Sequence, residues 1–377
     1  MAGIYLHIPF CKTRCIYCDF YSTTQSEIKD RYISALWNEL HQRKSYLDNE
    51  PIETIYFGGG TPSQLSKDDF EKIFSTIEKE YNLEKCIEIT LEANPDDLTP
   101  EYIKDLSLLP FNRVSIGIQT FNEQTLQLLR RRHTAEQAIQ AVEACRTAGL
   151  QNISIDLMYG LPGETLKSWE ADIEQAIALN VEHISAYHLI YEEGTPLYEM
   201  RLKHKIKEID EDSSVDFFKL MIERLSEAGF LHYEISNFCK PGMYSKHNSS
   251  YWTGKKYLGC GPSAHSFNGK NRQWNISSLE QYIKGIENET PQIEIEELDT
   301  ATQYNDFIIT SLRTMWGLSL TKIEEKFGTE LKIYCYKNAQ RHIKNNKLKL
   351  LNDSLYLTQE GIFISDGIMS DLLWVND

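Results

Sequence analysis

Three cysteines, Cys11, Cys15 and Cys18, stand close together as C-K-T-R-C-I-Y-C. Thiolate is the natural protein ligand of iron–sulfur clusters and of zinc. Three thiolates on one short loop can converge on a soft-metal centre. They leave one coordination position open for a substrate or cofactor, as open zinc sites do. A structural zinc site usually reaches four ligands through paired C-x2-C units or added histidines. Here only Cys15 and Cys18 form such a pair, although His7 could supply a fourth ligand from the segment before Cys11. Disulfides are not expected, because eight cysteines in 377 residues is a low density and nothing marks secretion. Spacing alone therefore leaves an iron–sulfur cluster, zinc and no metal open, in that order.

The elements that position these thiols follow from periodicity. Ile4-Tyr5-Leu6-His7-Ile8-Pro9-Phe10 reads as a short buried strand ending at Pro9, so the cysteines lie on a loop leaving a strand end. Strand-like runs recur at Ile4–Ile8, Thr54–Phe57, Ile87–Ala93, Arg113–Ile118, Ile153–Leu157 and His183–Leu189. Helical patterns lie between them at Asp30–Tyr46, Lys67–Tyr81, Pro100–Leu106, Asn122–Leu129, Ala135–Ala148 and Leu166–Leu179. Strands alternating with helices of this length imply parallel βαβ units. Six units are too few for a full eight-unit barrel, so the expected fold is α/β, a partial (β/α)6 TIM-like barrel open on one side. In such sheets ligands bind at the carboxyl ends of the strands. The cysteine loop follows strand one there, and Gly58-Gly59-Gly60-Thr61-Pro62 follows strand two. Glu92 ends strand three, Gln119 strand four, and Asp156 with Tyr159-Gly160-Leu161-Pro162-Gly163 strand five.

The spacing C-x3-C-x2-C resembles the signature of the radical S-adenosylmethionine (SAM) superfamily. That resemblance implies the same partial-barrel core. It also implies a [4Fe–4S] cluster held by Cys11, Cys15 and Cys18, whose fourth iron binds the amino and carboxylate groups of SAM. One electron from such a cluster can cleave SAM to a 5′-deoxyadenosyl radical, with the protein positioning the cofactors. The bare backbone of Gly59, Gly60 and Thr61 allows close approach of a ligand. It resembles the family motif that contacts the amino group of SAM. By the same resemblance Glu92 lies near the methionine or ribose part, and Gln119 and Asp156 hold the ribose hydroxyls. Arg131 pairs with the methionine carboxylate, for which its two-pronged fork is suited. Tyr5 and Tyr17 flank the cysteines and contact SAM, Tyr17 near the adenine. Taken singly, each has an ordinary explanation: Arg130–Arg132 a solvated helix end, Asp156 a strand terminator, Tyr5 a core residue. Their shared position at strand ends argues otherwise.

The detailed match is narrower. Tyr5-Leu6-His7-Ile8-Pro9-Phe10-Cys11, Phe57-Gly58-Gly59-Gly60-Thr61-Pro62 and Asp156-Leu157-Met158-Tyr159-Gly160-Leu161-Pro162 resemble the oxygen-independent coproporphyrinogen III oxidases, HemN, and their HemW relatives. The oxidases carry a further cysteine two residues after the third, where this chain has Phe20, and a substantial N-terminal extension before the first strand. His247-Asn248-Ser249-Ser250-Tyr251-Trp252 matches H-N-x-x-Y-W, a motif of the HemW subfamily, regarded as haem chaperones. Tyr257-Leu258-Gly259-Cys260-Gly261-Pro262-Ser263-Ala264-His265 also resembles that subfamily. The resemblance implies a binding and transfer protein for haem. It would take one haem per chain, with His247 at the haem and the cluster and SAM in support. Histidine is a common axial ligand, and Tyr251 and Trp252 could pack on the porphyrin. Cys239, Cys260 and His265 are weaker alternatives. The acceptor would be a haemoprotein or a membrane-bound haem enzyme, with a homodimer possible. The competing reading is an oxidase acting on coproporphyrinogen III.

Composition sets the outer bounds. The net charge of −16 argues against a nucleic-acid-binding surface spread over the chain. Residues 301–377 hold nine Lys/Arg and nine Asp/Glu, so residues 1–300 carry the whole excess. His7, Lys12 and Arg14 interrupt any signal-peptide h-region, and no apolar stretch approaches ~20 residues. A reducing, cytoplasmic location is expected. The chain divides as a radical SAM partial barrel over 1–230, a connecting segment with the H-N-x-x-Y-W motif over 231–297, and a small α+β domain over 298–377. In the last, helical patterns at Ala301–Met315, Leu320–Phe327 and Glu330–Asn345 precede strands Leu348–Leu351 and Leu355–Leu357 and a helix at Gln359–Ile368. This order resembles a winged helix. With neutral regional charge, Arg341, Lys344, Lys347 and Lys349 read as a solvated face rather than a DNA contact.

Overall fold

Six parallel strands form the centre of the computed structural model, which describes residues 1–375. They are β1 Ala2–Ile8, β2 Ile52–Gly59, β3 Glu88–Ala93, β4 Arg113–Gln119, β5 Asn152–Tyr159 and β6 His183–His188. Each is hydrogen-bonded to the next, and the sheet does not close on itself. This is the expected partial barrel. Helices return the chain between strands. Three of them start with reciprocal caps that satisfy orphan amides: Ser66 with Asp69, Thr134 with Gln137, and Thr165 with Ser168.

Strand alternation decides what faces where. In β4, Val114, Ile116 and Ile118 are buried and join the apolar core. The alternate residues Arg113, Ser115, Gly117 and Gln119 line a cavity inside the barrel. On the outer side, Phe70, Ile73, Phe74 and Ile77 of helix Lys67–Glu80 recur at helical spacing and are buried. The rings of Phe70 and Phe74 meet Phe57 and Phe111 edge-on or tilted, with centroids 5.1–5.4 Å apart.

Residues 231–297 do more than connect. The hairpin β7 Leu231–Glu234 and β8 Asn237–Cys239 adds antiparallel to β6. On the other edge β9 Tyr257–Cys260 runs parallel to β1, followed by antiparallel β10 His265–Phe267, β11 Asn271–Asn275 and β12 Ile293–Glu297. The sheet thus has twelve strands among the described residues, and one core runs from Ala2 to Ile286. The position expected as a boundary, near 230, lies within this sheet. A separate core, Tyr304 to Leu372, begins just beyond 298. It holds helices Thr300–Leu312, Leu320–Phe327 and Thr329–Lys344 against β13 Leu318–Ser319, β14 Leu348–Leu351 and β15 Ser354–Leu357. The helix expected over Gln359–Ile368 breaks into Gln359–Ile362 and Ser365–Leu372. Arg313 joins the two bodies: its guanidinium lies 4.4 Å from the Trp252 ring, and its Nε donates to Glu234 at 2.7 Å. Among the described residues, no helix is long and apolar enough to cross a membrane.

Candidate functional site

The inward face of the six strands and the loop after β1 enclose a cavity of about 570 Å³. Cys11, Cys15 and Cys18 lie on its wall as free, half-buried thiols. All nine residues expected at SAM line it as well: Tyr5, Tyr17, Gly59, Gly60, Thr61, Glu92, Gln119, Arg131 and Asp156. His247 lies on the same wall but is 1% exposed.

The thiol loop is held from both sides. Thr61 Oγ1 donates to Cys11 Sγ at 3.3 Å, and Arg131 Nη1 donates to Cys15 Sγ at 3.5 Å. Burial raises Cys11, against the hydrogen bond from Thr61, and pushes Cys18 up to about 11. The glycines are needed for close approach. A side chain on Gly60 would stand 2.8 Å from the Pro9 carbonyl carbon, and Gly59, at φ +104°, faces the His7 ring. The Gly60 amide donates to Ile8 at 2.8 Å, which fixes the strand end that launches the cysteine loop.

Two carboxylates sit deeper. Tyr56 donates to Glu92 Oε1 at 2.6 Å, and Ser115 donates to Asp156 at 3.4 Å. Asp156 stands between Gly117 and Ser185 in the sheet register. Burial pushes the Glu92 carboxyl up to about 7; the Tyr56 hydrogen bond opposes this and the nearby Asp156 adds to it. Burial also raises Asp156, against hydrogen bonds from Ser185 and Ser115. Gln119 has a positive φ of 72°, a strained conformation at the very end of β4. Arg131 Nη2 donates to Asn94 Oδ1 at 2.7 Å and to the Gly117 carbonyl, while its buried Nε has no partner among the described residues.

Sequence reasoning missed Arg113. It is 1% exposed, it lines the cavity, and its Nε and Nη1 are buried without partners among the described residues. The signal was available as the polar alternation Arg113, Ser115, Gly117, Gln119 through an otherwise apolar strand.

His247 occupies helix Lys246–Trp252, which plugs the barrel beneath β1–β3. Glu88 accepts the Lys246 and His247 amides at 2.8 Å each, a carboxylate seated on the first turn of that helix. His247 Nδ1 lies 2.8 Å from Thr54 Oγ1 and Nε2 lies 2.8 Å from the Tyr251 hydroxyl. Both ring nitrogens are therefore engaged, and neither is open to iron in this arrangement. Burial, with the charge of Arg113 adding, lowers the ring to about 3, so it is neutral. Cys239 and Cys260 are buried in the core. His265, by contrast, is exposed on the wall of a second cavity, of about 910 Å³, that reaches the C-terminal domain. Tyr5, Phe20 and Tyr251 line both cavities.

Comparison with known proteins agrees with this geometry. The Radical SAM superfamily model matches residues 5–176, and the HemN C-terminal domain model matches 298–364. The chain is 34% identical over 376 residues to Heme chaperone HemW of Bacillus subtilis (strain 168), covering 99% of each chain. This chain belongs to the HemW family. A second HemW, from Lactococcus lactis subsp. lactis (strain IL1403), is 35% identical over 98% of this chain and 96% of its own. Among solved structures, coproporphyrinogen III oxidase (HemN) from Escherichia coli superposes with a TM-score of 0.86 at 22% identity, over 98% of this chain and 89% of that one. The HemN likeness is one of fold. HemW membership places the chain in the radical SAM superfamily, whose members carry a [4Fe–4S] cluster and SAM.

The donor set fits such a group. Three thiols line one wall, with two arginines nearby whose buried N–H groups lack partners among the described residues. Among the described residues no three His, Cys, Asp or Glu side chains are arranged around one metal ion. In a cluster each thiolate takes its own iron, which needs no such convergence.

Proposed function

We propose that this chain binds haem and passes it to an acceptor apoprotein, with a [4Fe–4S] cluster and SAM in a supporting or gating role. The observation that carries this is the near end-to-end similarity to relatives named haem chaperones. Phe20, at the position where the oxidases have a further cysteine, supports the same reading. The acceptor is a haemoprotein or a membrane-bound haem enzyme, and the location is cytoplasmic.

Cys11, Cys15 and Cys18 hold the cluster. When bound, the cluster and SAM supply one-electron chemistry. The chain's own residues bind and orient. Thr61 and Arg131 steady the thiolates of Cys11 and Cys15 through their hydrogen bonds. Gly59 and Gly60 present bare backbone to the methionine amino group, and Arg131 takes the methionine carboxylate. Gln119 and Asp156 hold the ribose hydroxyls, and Glu92 lies near the methionine or ribose part. Tyr17 lies at the adenine and Tyr5 closes the inner wall. Tyr251 and Trp252 supply apolar surface for haem, with His247 as the haem-site residue of the motif. Because both nitrogens of His247 are engaged, its contribution is to hold Tyr251 in place.

The test is anaerobic haem titration of the cluster-reconstituted chain, followed by absorbance, with coproporphyrinogen turnover assayed on the same sample. Saturable binding near one haem per chain without turnover is expected. Formation of protoporphyrinogen would make the chain an oxidase instead.

A further inference from the structure

The cavity shared between the barrel's added strands and the C-terminal domain is a built site. Its volume, about 910 Å³, falls in the range of about 300–1,000 Å³ that takes a cofactor-sized ligand. Its walls are rich in aromatic rings, among them Phe20, Tyr251, Trp252, Tyr257, Phe267 and Phe307. Such rings pack well on a flat macrocycle.

Two histidines line it. His7 is 6% exposed, with Nε2 2.9 Å from the Tyr21 carbonyl oxygen and Nδ1 3.3 Å from the Tyr5 hydroxyl. His265 is exposed and its ring has no hydrogen-bond partner among the described residues. Its ring stacks on Trp274 with centroids 5.6 Å apart at 26°, which leaves the nitrogen edge free. The backbone beneath it is fixed. Any side chain on Gly259 would overlap the His265 carbonyl, and the Gly259 amide donates to Ser266 Oγ at 3.0 Å. Two cations also reach the wall. Arg272 is paired with Glu296 and Asp306. Lys326 lies 4.9 Å from the Phe307 ring centre and has no carboxylate partner among the described residues.

We infer that haem seats in this cavity with its iron taken by His265 and a propionate directed to Lys326. This rests on the haem-binding reading and names the seat and the ligand within it. Haem is a flat apolar ring with an iron that accepts imidazole and two carboxylates at one edge. The cavity offers aromatic walls, one free imidazole and one unpaired cation. Partial desolvation on the cavity wall and the charge of Arg272 lower the His265 ring, which favours the neutral imidazole that can ligate. The H-N-x-x-Y-W segment then contributes two wall residues, Tyr251 and Trp252. His247 acts behind them as a positioning residue. Because Tyr5, Phe20 and Tyr251 border both cavities, haem in this seat would lie beside bound SAM.

The test is titration of the reconstituted full chain with hemin and, separately, with iron-free protoporphyrin IX, in parent, His265→Ala, Lys326→Glu and His247→Ala forms. Circular dichroism checks folding. His265→Ala should lose the histidine-ligand signature in electron paramagnetic resonance and bind hemin on the order of tenfold more weakly. It should bind iron-free porphyrin as the parent does. Lys326→Glu should weaken both ligands. If His265→Ala keeps the parent spectrum and affinity, or if His247→Ala alone removes the ligand signature, the inference is overturned while haem binding stands. If the parent shows no saturable hemin binding, the haem-chaperone reading itself fails.

Discussion

The Tyr251 hydroxyl lies 2.8 Å from His247 Nε2, one helical turn away, at the point where the two cavities meet. The other ring nitrogen faces Thr54 Oγ1, and Tyr56 stacks on the imidazole with centroids 5.0 Å apart. A ring held this way is a structural strut. Tyr251→Phe removes one partner and leaves a buried nitrogen unsatisfied, which costs on the order of 1–3 kcal/mol. Chemical denaturation of the cluster-free chain should show that loss. The ligand spectrum of bound hemin should not change. A new histidine signature in Tyr251→Phe would mean that iron can reach His247 once Tyr251 lets go.

Glu92 should make stability depend on pH in a defined direction. Its carboxyl is pushed up to about 7 by burial, with Asp156 adding and Tyr56 opposing. A raised carboxyl favours the protonated folded form. The stabilisation is therefore full below the ordinary carboxylate range and is lost as pH rises through about 7. The cluster-free chain should become less stable between about pH 5 and 8, by on the order of 1–3 kcal/mol from this group. Glu164, pushed up to about 8 by burial, adds in the same sense. Glu92→Gln should flatten part of the slope in thermal unfolding followed across that range. An equally steep slope in the variant would assign it elsewhere.

Gly60 links the sheet to the cluster loop. An added methyl would press on Pro9 and Ile8 backbone atoms at 2.8–2.9 Å, and backbone cannot turn aside as a flexible side chain can. Gly60→Ala should therefore displace the end of β1 and the thiols that follow. The expected cost is about 1–3 kcal/mol of stability, together with a fall in iron and sulfide retained per chain after reconstitution. Gly163 is a useful contrast, because among the described residues nothing lies within 4 Å of an added methyl there, although its φ of +78° adds backbone strain. Its alanine variant should keep full iron and sulfide content.

Much of this was legible because the apolar pattern and the special residues agree. Pro100–Leu106, Leu320–Phe327 and Leu348–Leu351 fall where periodicity puts them. The cavity gathers residues far apart in sequence, from Tyr5 to Tyr251, because the parallel strands and the loops that leave their carboxyl ends turn them toward one interior. The outer strands were harder to see. Asn271–Asn275 reads N-R-Q-W-N, with no apolar alternation, because the first four side chains are only partly covered. Its place in the sheet comes from pairing with Ile293–Glu297, a long-range contact that local sequence does not express. The role of His247 was obscured for a related reason. Its type and motif point to iron, while its partners Thr54 and Tyr251 become visible only once β2 and the plugging helix are packed together.

Arg113 carries the last prediction. A guanidinium that is 1% exposed, with Nε and Nη1 unpartnered among the described residues, is costly to the empty fold. Its charge lowers both Glu92 and Asp156, so it supports the ionised carboxylates that face the cavity. Buried charge kept at such a cost is expected where a ligand uses the field it creates. Arg113→Met, close in length and apolar, should leave the cluster-free chain as stable as the parent or more so. The same change should raise Glu92 further and weaken SAM binding to the reconstituted chain by about tenfold, a loss of about 1.4 kcal/mol. Thermal unfolding and calorimetric titration with SAM separate the two effects. If Arg113→Met unfolds the chain by several kcal/mol, the guanidinium is a structural support for the barrel floor and its orphaned nitrogens are met by water.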